Sequence, residues 1–397
     1  MNLPESLHLW WLANPALPVL VGELRYAHSL RGVSLSYTPQ WLANGFALSE
    51  DLPLHAGEHL PKDNDSAAGA VDEARPERWG ERVTRLASQP ARLGLLDHLY
   101  WAGDERFGAL GVSISAQRYQ PRPGQALPRL ADLPTLTQAV QLVLLNVPVT
   151  PELRPLLAFG AAMGGDRPKA LVNVGGKAWL VKFPEPGDVF DTALLEHASL
   201  GLAERAGIRV AQSQVLDLPN GQHALAVRRF DRTSLAHRVH CLSAHTALRA
   251  AGEPMGYPEL AQWLRRHAPA ASYRQQMAEL FTRMVFNILI DNTDDHEKNH
   301  VLMMNDQGRY ELAPAFDVLP QAQRLGHQRM RVGRDQTAST LDNALSESSQ
   351  FGLSLPLAKE KITTVQKAVR GWQDHFAKAG VVTKDLDQLA RFVGLAR

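Results

Sequence analysis

The ten residues Asp291-Asn292-Thr293-Asp294-Asp295-His296-Glu297-Lys298-Asn299-His300 form the densest run of chemically capable side chains in the chain. Just before them, Met277, Leu280, Phe281, Met284, Ile288 and Leu289 recur at three- and four-residue steps. That spacing predicts an amphipathic helix over residues 274–290, with its apolar face on a core. Just after them, residues 301–304 and 309–312 flank the turn Asn305-Asp306-Gln307-Gly308 as the arms of a hairpin, and Pro314-Ala315-Phe316-Asp317 closes the segment.

Three chemistries compete for the run. His296-Glu297-Lys298-Asn299-His300 formally matches the zinc-protease pattern H-E-x-x-H, but that pattern grips a metal only when both histidines share one face of a helix. Here turn formers precede it and a strand-like run follows His300. The extended form of the motif also fails, because Met303 stands where glycine is needed. A calcium loop starting at Asp291 would need glycine at its sixth position and glutamate at its twelfth, where His296 and Leu302 stand.

Phosphoryl transfer fits better. Asp294 and Asn299 have the offset of the catalytic Asp and magnesium-binding Asn in a kinase catalytic loop, and Asp317 lies one hairpin further on as a second metal carboxylate. Hard oxygen ligands suit magnesium, which must bridge to phosphates while the base faces the nucleophile. Upstream, Lys182 on a predicted strand and Glu196 on the next predicted helix could form the ion pair that orients the α- and β-phosphates. Each signal is weak alone, and their serial order carries the reading. A P-loop is excluded, since Gly176-Lys177 is followed by Ala178 and residue 171 is Leu.

Around this core the chain reads as α+β. Strands are predicted over 7–12 and 19–24, about an Asn-Pro turn, and residues up to about 115 alternate β-like runs with turns. Four prolines and a glycine between Pro121 and Pro134 mark a linker. Helical patterns follow over 136–145 and 152–159, then a glycine-rich stretch from Gly160 to Lys169. Runs 170–174 and 178–183 meet at Gly175-Gly176 as a hairpin. A helix over 191–206 ends at Gly207, and strands 213–217 and 223–230 flank Pro219-Asn220-Gly221. Beyond Ser243 the chain turns mostly helical, with helices expected over 357–379 and 383–395. The expected division is an N-terminal β-rich module (1–120), a linker (121–134), the smaller lobe of a bilobed kinase-like core (135–242) and a mostly helical larger lobe (243–397).

Length and composition agree with that plan. A chain of 397 residues exceeds one typical domain. Its net charge of +1 argues against binding nucleic acid through a broad basic surface. A single cysteine, Cys241, excludes an internal disulfide and a four-cysteine zinc site, as expected of a protein in the reducing cytoplasm. No basic leader precedes the first apolar stretch, which Pro15 and Pro18 break, and no window holds eighteen uninterrupted apolar residues.

Taken together, Asn292-Thr293-Asp294-Asp295-His296-Glu297-Lys298-Asn299, Leu312-Ala313-Pro314-Ala315-Phe316-Asp317, the Gly164-Gly165-Asp166-Arg167-Pro168-Lys169 loop, Lys182-Phe183-Pro184 and Arg229-Phe230-Asp231-Arg232 resemble the HipA family of bacterial kinase toxins. Val21-Gly22-Glu23-Leu24, Arg78-Trp79-Gly80 and Gly108-Ala109-Leu110 look like that family's N-terminal module, so the resemblance covers nearly the whole chain. It implies an ATP- and magnesium-dependent protein serine/threonine kinase, the toxin of a toxin–antitoxin pair. Such toxins phosphorylate aminoacyl-tRNA ligases, stall translation and promote growth arrest and persistence. A HipB-like helix-turn-helix antitoxin would neutralise it and carry most of the contact with operator DNA. Carried over by position, Asp294 would be the base, Asn299 and Asp317 the magnesium ligands, and Lys182 the ATP phosphate contact. Gly164, Gly165 and Lys169 would form the phosphate loop, and the backbone around Arg228, Arg229 and Phe230 the adenine hinge. His296 and Lys298 would be catalytic-loop neighbours touching phosphate or structural partners.

Two departures qualify this transfer. Family members usually carry a serine in the phosphate loop whose autophosphorylation silences the kinase, whereas Ala161 and Ala162 stand here, so that off-switch is expected to be missing. Asp317 is followed by Val318-Leu319 rather than Phe-Gly, so the activation segment cannot be read by analogy to eukaryotic kinases. Two rivals remain open: an antitoxin-binding co-repressor scaffold, against which the full set Lys182, Asp294, Asn299 and Asp317 argues, and a small-molecule kinase.

Overall fold

The computed structural model describes residues 4–88, 93–123, 126–158, 160, 163–233 and 237–394. The chain divides into two compact units, one of Met1–Glu185, Leu218–Gly221 and Arg228–Leu242, the other of Pro186–Asp217, Gln222–Val227 and Ser243–Arg397. Residues 135–242 are therefore shared between the units. The protein is α+β, as read, with antiparallel sheets and a mostly helical second unit.

The first unit begins with a five-stranded sheet. Its strands are β1 (Ser6–Trp11), β2 (Val19–Ala27), β3 (Gly32–Tyr37), β4 (Glu58–His59) and β5 (Leu110–Ser113), in the order β4-β3-β2-β1-β5. The predicted Asn-Pro turn joins β1 to β2, with Leu7 opposite Leu24. Leu7, Leu9, Val21, Leu24, Val33, Leu35 and Val112 are at most 1% exposed and make the core against which helices pack. Those helices are α1 (Pro39–Asn44) and α3 (Leu95–Trp101), and α2 (Arg78–Ser88) packs in turn against α3. The sequence reads here as β-like runs and turns with a polar stretch, 61–78, as loop or helix entry; it does not delimit these helices, because elements of 6 to 11 residues show little periodicity.

Beyond the proline-rich stretch, α4 (Leu133–Leu144) starts three residues before its expected position, with Pro134 inside its first turn, where a missing N–H costs nothing. After α5 (Arg154–Ala158), β6 (Lys169–Val174) and β7 (Lys177–Lys182) pair antiparallel with Val174 opposite Lys177. Gly175 and Gly176 make the two-residue turn at φ of +58° and +78°, which side chains with a Cβ resist.

The second unit begins with α6 (Thr192–Arg205), whose N-terminal N–H of Leu194 is capped by the Asp191 side chain at 3.1 Å, and the chain continues through the hairpin β8 (Ser213–Asp217) and β9 (His223–Arg228). The short β10 (Cys241–Ser243) leads to α7 (Ala244–Ala251), α8 (Tyr257–His267) and α9 (Tyr273–Leu289). Helix α9 is the expected one, with Met277, Leu280, Phe281, Met284, Ile288 and Leu289 all buried. Beyond its exposed first turn, the polar residues Gln276, Thr282, Arg283 and Asn287 are buried as well. Arg283 donates to the Ala313 carbonyl at 2.7 Å, and Asn287 lies among buried polar partners, so α9 is a central helix rather than a surface one.

The hairpin β11 (Val301–Met304) and β12 (Tyr310–Leu312) follows as predicted. Then come α10 (Leu341–Ser346), α11 (Leu355–Arg370), α12 (Trp372–Lys378) and α13 (Thr383–Leu389). The single helix expected over 357–379 is two, interrupted at Gly371, a residue of low helix propensity whose ψ of 18° departs from the helical value. No helix among the described residues is long and apolar enough to cross a membrane.

Candidate active site

Helix α9 stops because Asp291 takes a left-handed conformation at φ +57°, so the chain leaves the helix at the start of the polar run. The Asp291 carboxylate Oδ2 then accepts the N–H groups of Gln323 and Arg324, each at 3.1 Å, and its carbonyl accepts that of Gln321 at 3.0 Å. The beginning of the run is thus tied to the segment that follows Asp317. Burial pushes the Asp291 carboxyl above its ordinary value, outweighing those two donors.

A buried chain of polar groups braces the interior of the loop. Asn292 donates to Asn287 Oδ1 at 3.1 Å, Asn287 to the Tyr257 hydroxyl at 3.4 Å, and Tyr257 in turn to Asp295 Oδ2. His300 Nε2 donates to the same oxygen at 2.8 Å. Burial alone would raise the Asp295 carboxyl, but His300 and Tyr257 together hold it below its ordinary value. His300 Nδ1 makes no hydrogen bond among the described residues, and the ring lines a small cavity with Asn287, Asn299 and Phe316. Glu297 accepts from His245 Nδ1 at 2.9 Å, a bond that holds its carboxyl down at about 2 against partial burial.

Asp294, unlike its neighbours Thr293 and Asp295, is not buried. Its side chain is 50% exposed, and Oδ1 lies 2.7 Å from Arg329 Nε. Asn299, by contrast, is buried within a short 3-10 turn, Glu297–Asn299, its N–H bonded to the His296 carbonyl at 2.9 Å. His296 is extended, with Nδ1 accepting the Lys298 N–H at 3.2 Å, and Lys298 is exposed. The two histidines of the H-E-x-x-H match therefore share no helix face, and His300 is committed to Asp295. Asp317 adopts φ +59°, and its N–H donates to Glu196 Oε1 at 2.9 Å. Glu196, read from sequence as a partner of Lys182, is buried on α6 and supports the backbone of Asp317.

Asn299 and Asp317 offer the hard oxygen donors that magnesium takes. Among the described residues no group of three or more His, Cys, Asp or Glu side chains could hold a metal by itself. Such a sparse donor set fits a magnesium ion that completes its shell with phosphate oxygens and water.

In the first unit, Lys182 ends β7 and is half-buried. Gly165 has φ +94°, and its N–H is taken by the Glu77 carboxylate, while Lys169 Nζ donates to the Gly164 carbonyl. Arg78 pairs with Asp166 at 3.2 Å and Trp79 Nε1 donates to the Lys169 carbonyl at 2.8 Å, so three consecutive residues, 77–79, seat the glycine loop. Ala161 and Ala162 lie outside the described residues. Arg228 ends β9, half-buried. The Arg229 N–H donates to the Ala178 carbonyl at 3.1 Å, and its buried guanidinium grips Asp231 Oδ1 at 2.9 Å and Oδ2 at 2.7 Å. Phe230 meets Phe107 edge-on. Asp231, fully buried, also accepts from Arg232 at 2.7 Å and from the Gly108 N–H at 2.8 Å. The segments Gly108-Ala109-Leu110 and Arg229-Phe230-Asp231-Arg232, read separately in the sequence, are thus one structural node.

Sequence reasoning missed Glu77, His245, Tyr257 and Arg329. Glu77 ends an unpatterned polar stretch and Arg329 is one of several arginines in an irregular segment, so neither carried a spacing signal. The loop glycines could have pointed to a seating partner, though not to which residue supplies it.

Comparison with known proteins follows this geometry closely. A family model described as the HipA-like C-terminal domain matches residues 161–372, more than half of the chain. A Sinorhizobium fredii protein named "Putative kinase Y4mE" is 25% identical over 392 residues, covering 90% of this chain and 89% of its own. A second from the same organism, "Putative kinase Y4dM", is 29% identical over 155 residues, 36% of this chain and 37% of its own. Among solved structures, the Shewanella oneidensis MR-1 toxin–antitoxin complex of HipA, HipB and operator DNA matches with a TM-score of 0.67 at 19% identity, over 97% of this chain and 94% of that one. The fold is that of HipA, and the chain belongs to the family of proteins with a HipA-like C-terminal domain.

Proposed function

We propose that this protein is a HipA-type toxin kinase that transfers the γ-phosphoryl group of ATP to a serine or threonine of a host protein. The observation that carries the reading is the state of Asp294 in a family member: one carboxylate oxygen is held by Arg329, while Oδ2 has no hydrogen-bond partner among the described residues. An open, oriented carboxylate on an otherwise braced loop is what a general base for a hydroxyl requires.

In the proposed reaction the acceptor hydroxyl oxygen forms the new bond to the γ-phosphorus and the bond from that phosphorus to the β–γ bridging oxygen breaks. ADP leaves with the electron pair, and the hydroxyl proton passes to Asp294 Oδ2. Asn299 and Asp317 would hold magnesium, which when bound supplies neutralisation of phosphate charge. Lys182 would touch the phosphates, the Gly164, Gly165 and Lys169 loop would cover them, and the backbone at Arg228, Arg229 and Phe230 would meet adenine. Residues 1–120 would be the N-terminal module, 121–134 the linker, 135–242 the smaller lobe and 243–397 the catalytic lobe.

The proposed partners are a HipB-like helix-turn-helix antitoxin, through which operator DNA would be reached, and a cytoplasmic protein substrate such as an aminoacyl-tRNA ligase, whose modification would arrest translation. The HipA in the Shewanella complex is solved with HipB and operator DNA, which supports such a partner here. Incubation of the purified protein with magnesium, γ-labelled ATP and host lysate tests the reading. A labelled protein band is expected. A labelled metabolite would redirect it to a small-molecule kinase, and no label at all to a scaffold.

A further inference from the structure

The ion pair at Asp294 has no evident structural purpose. Both side chains are mostly solvent-facing, 63% exposed for Arg329 and 50% for Asp294, and exposed pairs of this kind contribute little to stability. Yet the backbone that delivers Arg329 is fixed on both sides. Gln328 and Met330 are 1% and 0% exposed, so Arg329 is the single outward residue between two buried ones. The Gln328 N–H donates to the Thr337 carbonyl at 2.7 Å and its side chain to Ser339 Oγ at 2.9 Å. On the other side, Arg331 is held by Glu259 and Glu347 at 2.8 Å each, and its N–H by the Met255 carbonyl at 3.0 Å. Upstream, Asp291 anchors the same segment through Gln323 and Arg324.

The guanidinium is therefore presented to the candidate base from a rigid frame. Its contact to Asp294 uses Nε, and its two terminal nitrogens donate no hydrogen bond to any described residue. A guanidinium always carries its charge and offers donors in a planar fork matched to phosphate oxygens. We propose that Arg329 is a catalytic residue of the transfer reaction: Nε keeps Asp294 oriented while the terminal nitrogens contact the phosphoryl group as it passes from ADP to the acceptor. Binding base and phosphoryl through one side chain fixes their separation, and the charge acts where negative charge spreads over the equatorial oxygens. This assignment rests on the kinase reading of Asp294.

The test uses the full-length protein and its Arg329→Gln, Arg329→Lys and Asp294→Gln variants. Three readouts are taken: release of label from γ-labelled magnesium ATP to water or to a serine/threonine peptide array, affinity for a fluorescent ATP analogue, and thermal stability. Arg329→Gln is expected to lose about 100-fold or more in kcat, with nucleotide affinity within about threefold of wild type and an unchanged Tm. Arg329→Lys should recover part of the rate, and millimolar guanidinium added to Arg329→Gln should restore more. Wild-type or faster turnover in Arg329→Gln, beside an inactive Asp294→Gln, would overturn the assignment while leaving the base in place. A loss confined to nucleotide affinity or to Tm would overturn it equally, and wild-type turnover in both variants would remove the base reading too.

Discussion

Asp295 Oδ2 and His300 Nε2 lie 2.8 Å apart with each side chain only 3% exposed, and together they close the short loop that contains Asn299. The same oxygen receives the Tyr257 hydroxyl, so one buried carboxylate locks the loop to α8 and to the start of β11.

Removing that carboxylate strands two partners in a water-poor interior. Asp295→Ala is expected to cost about 3–5 kcal/mol, the usual penalty for breaking a buried pair by deleting one member. Urea unfolding of the variant beside wild type measures it. A loss under about 1 kcal/mol would mean that solvent reaches His300 and Tyr257 freely, contrary to their burial.

Asp294 and Asp317 should separate activity from stability. Asp294 is half exposed and its ion pair is with the exposed Arg329, so Asp294→Gln is expected to leave Tm unchanged. Asp317 sits at φ +59°, where Asn is better tolerated than most residues, which makes Asp317→Asn the cleaner substitution. Both should lower label transfer by a factor of about 100 or more. Full activity in both variants would remove the site assignment.

The buried helix before the loop, the hairpin after it and the glycine turn at 175–176 were legible because each rests on local signals: a 3.6-residue period, strand-like runs flanking a turn, and positions that need positive φ. What stayed hidden is long-range. No spacing rule in the sequence announces that Glu196 also accepts the Asp317 N–H, across 121 positions of sequence. Nor does it announce that the Arg229 side chain is taken up by Asp231, Glu105 and the Arg106 carbonyl, in a segment whose backbone alone is expected to form a hinge. A side chain's chemistry can be read from its type, but its partner is chosen by the packing of distant segments.

Acid should weaken the first unit through Asp231. Burial would raise this carboxyl, but Arg229 and Arg232 hold it at about 2, below the ordinary aspartate value. A depressed carboxylate contributes stability that is complete above the unfolded value and disappears as pH falls through the folded one. The window is thus about pH 4 down to pH 2, and the contribution lost is roughly 2 kcal/mol. Asp231→Asn should be less stable at neutral pH, because Arg229 and Arg232 lose their shared counter-charge, and should show a flatter stability profile across that window. Parallel slopes for the two proteins in urea titrations would exclude Asp231 as the acid-sensitive group.

Glu77 bears on nucleotide affinity. Its carboxylate accepts the Gly165 N–H of the glycine loop, the kind of donor that a phosphate oxygen would use if this loop covers ATP. A carboxylate already seated there repels an arriving phosphate and must give up its hydrogen bond for the phosphate to take its place. Glu77→Gln keeps the length and an accepting oxygen but removes the charge. The loop should stay seated by Trp79 and Arg78, and stability should change by less than about 1 kcal/mol. Affinity for magnesium ATP is expected to rise about 5- to 30-fold, the equivalent of roughly 1–2 kcal/mol of relieved competition. Isothermal titration with ATP decides it. A variant that binds ATP more weakly than wild type would show that Glu77 supports the nucleotide-bound loop rather than competing with the nucleotide.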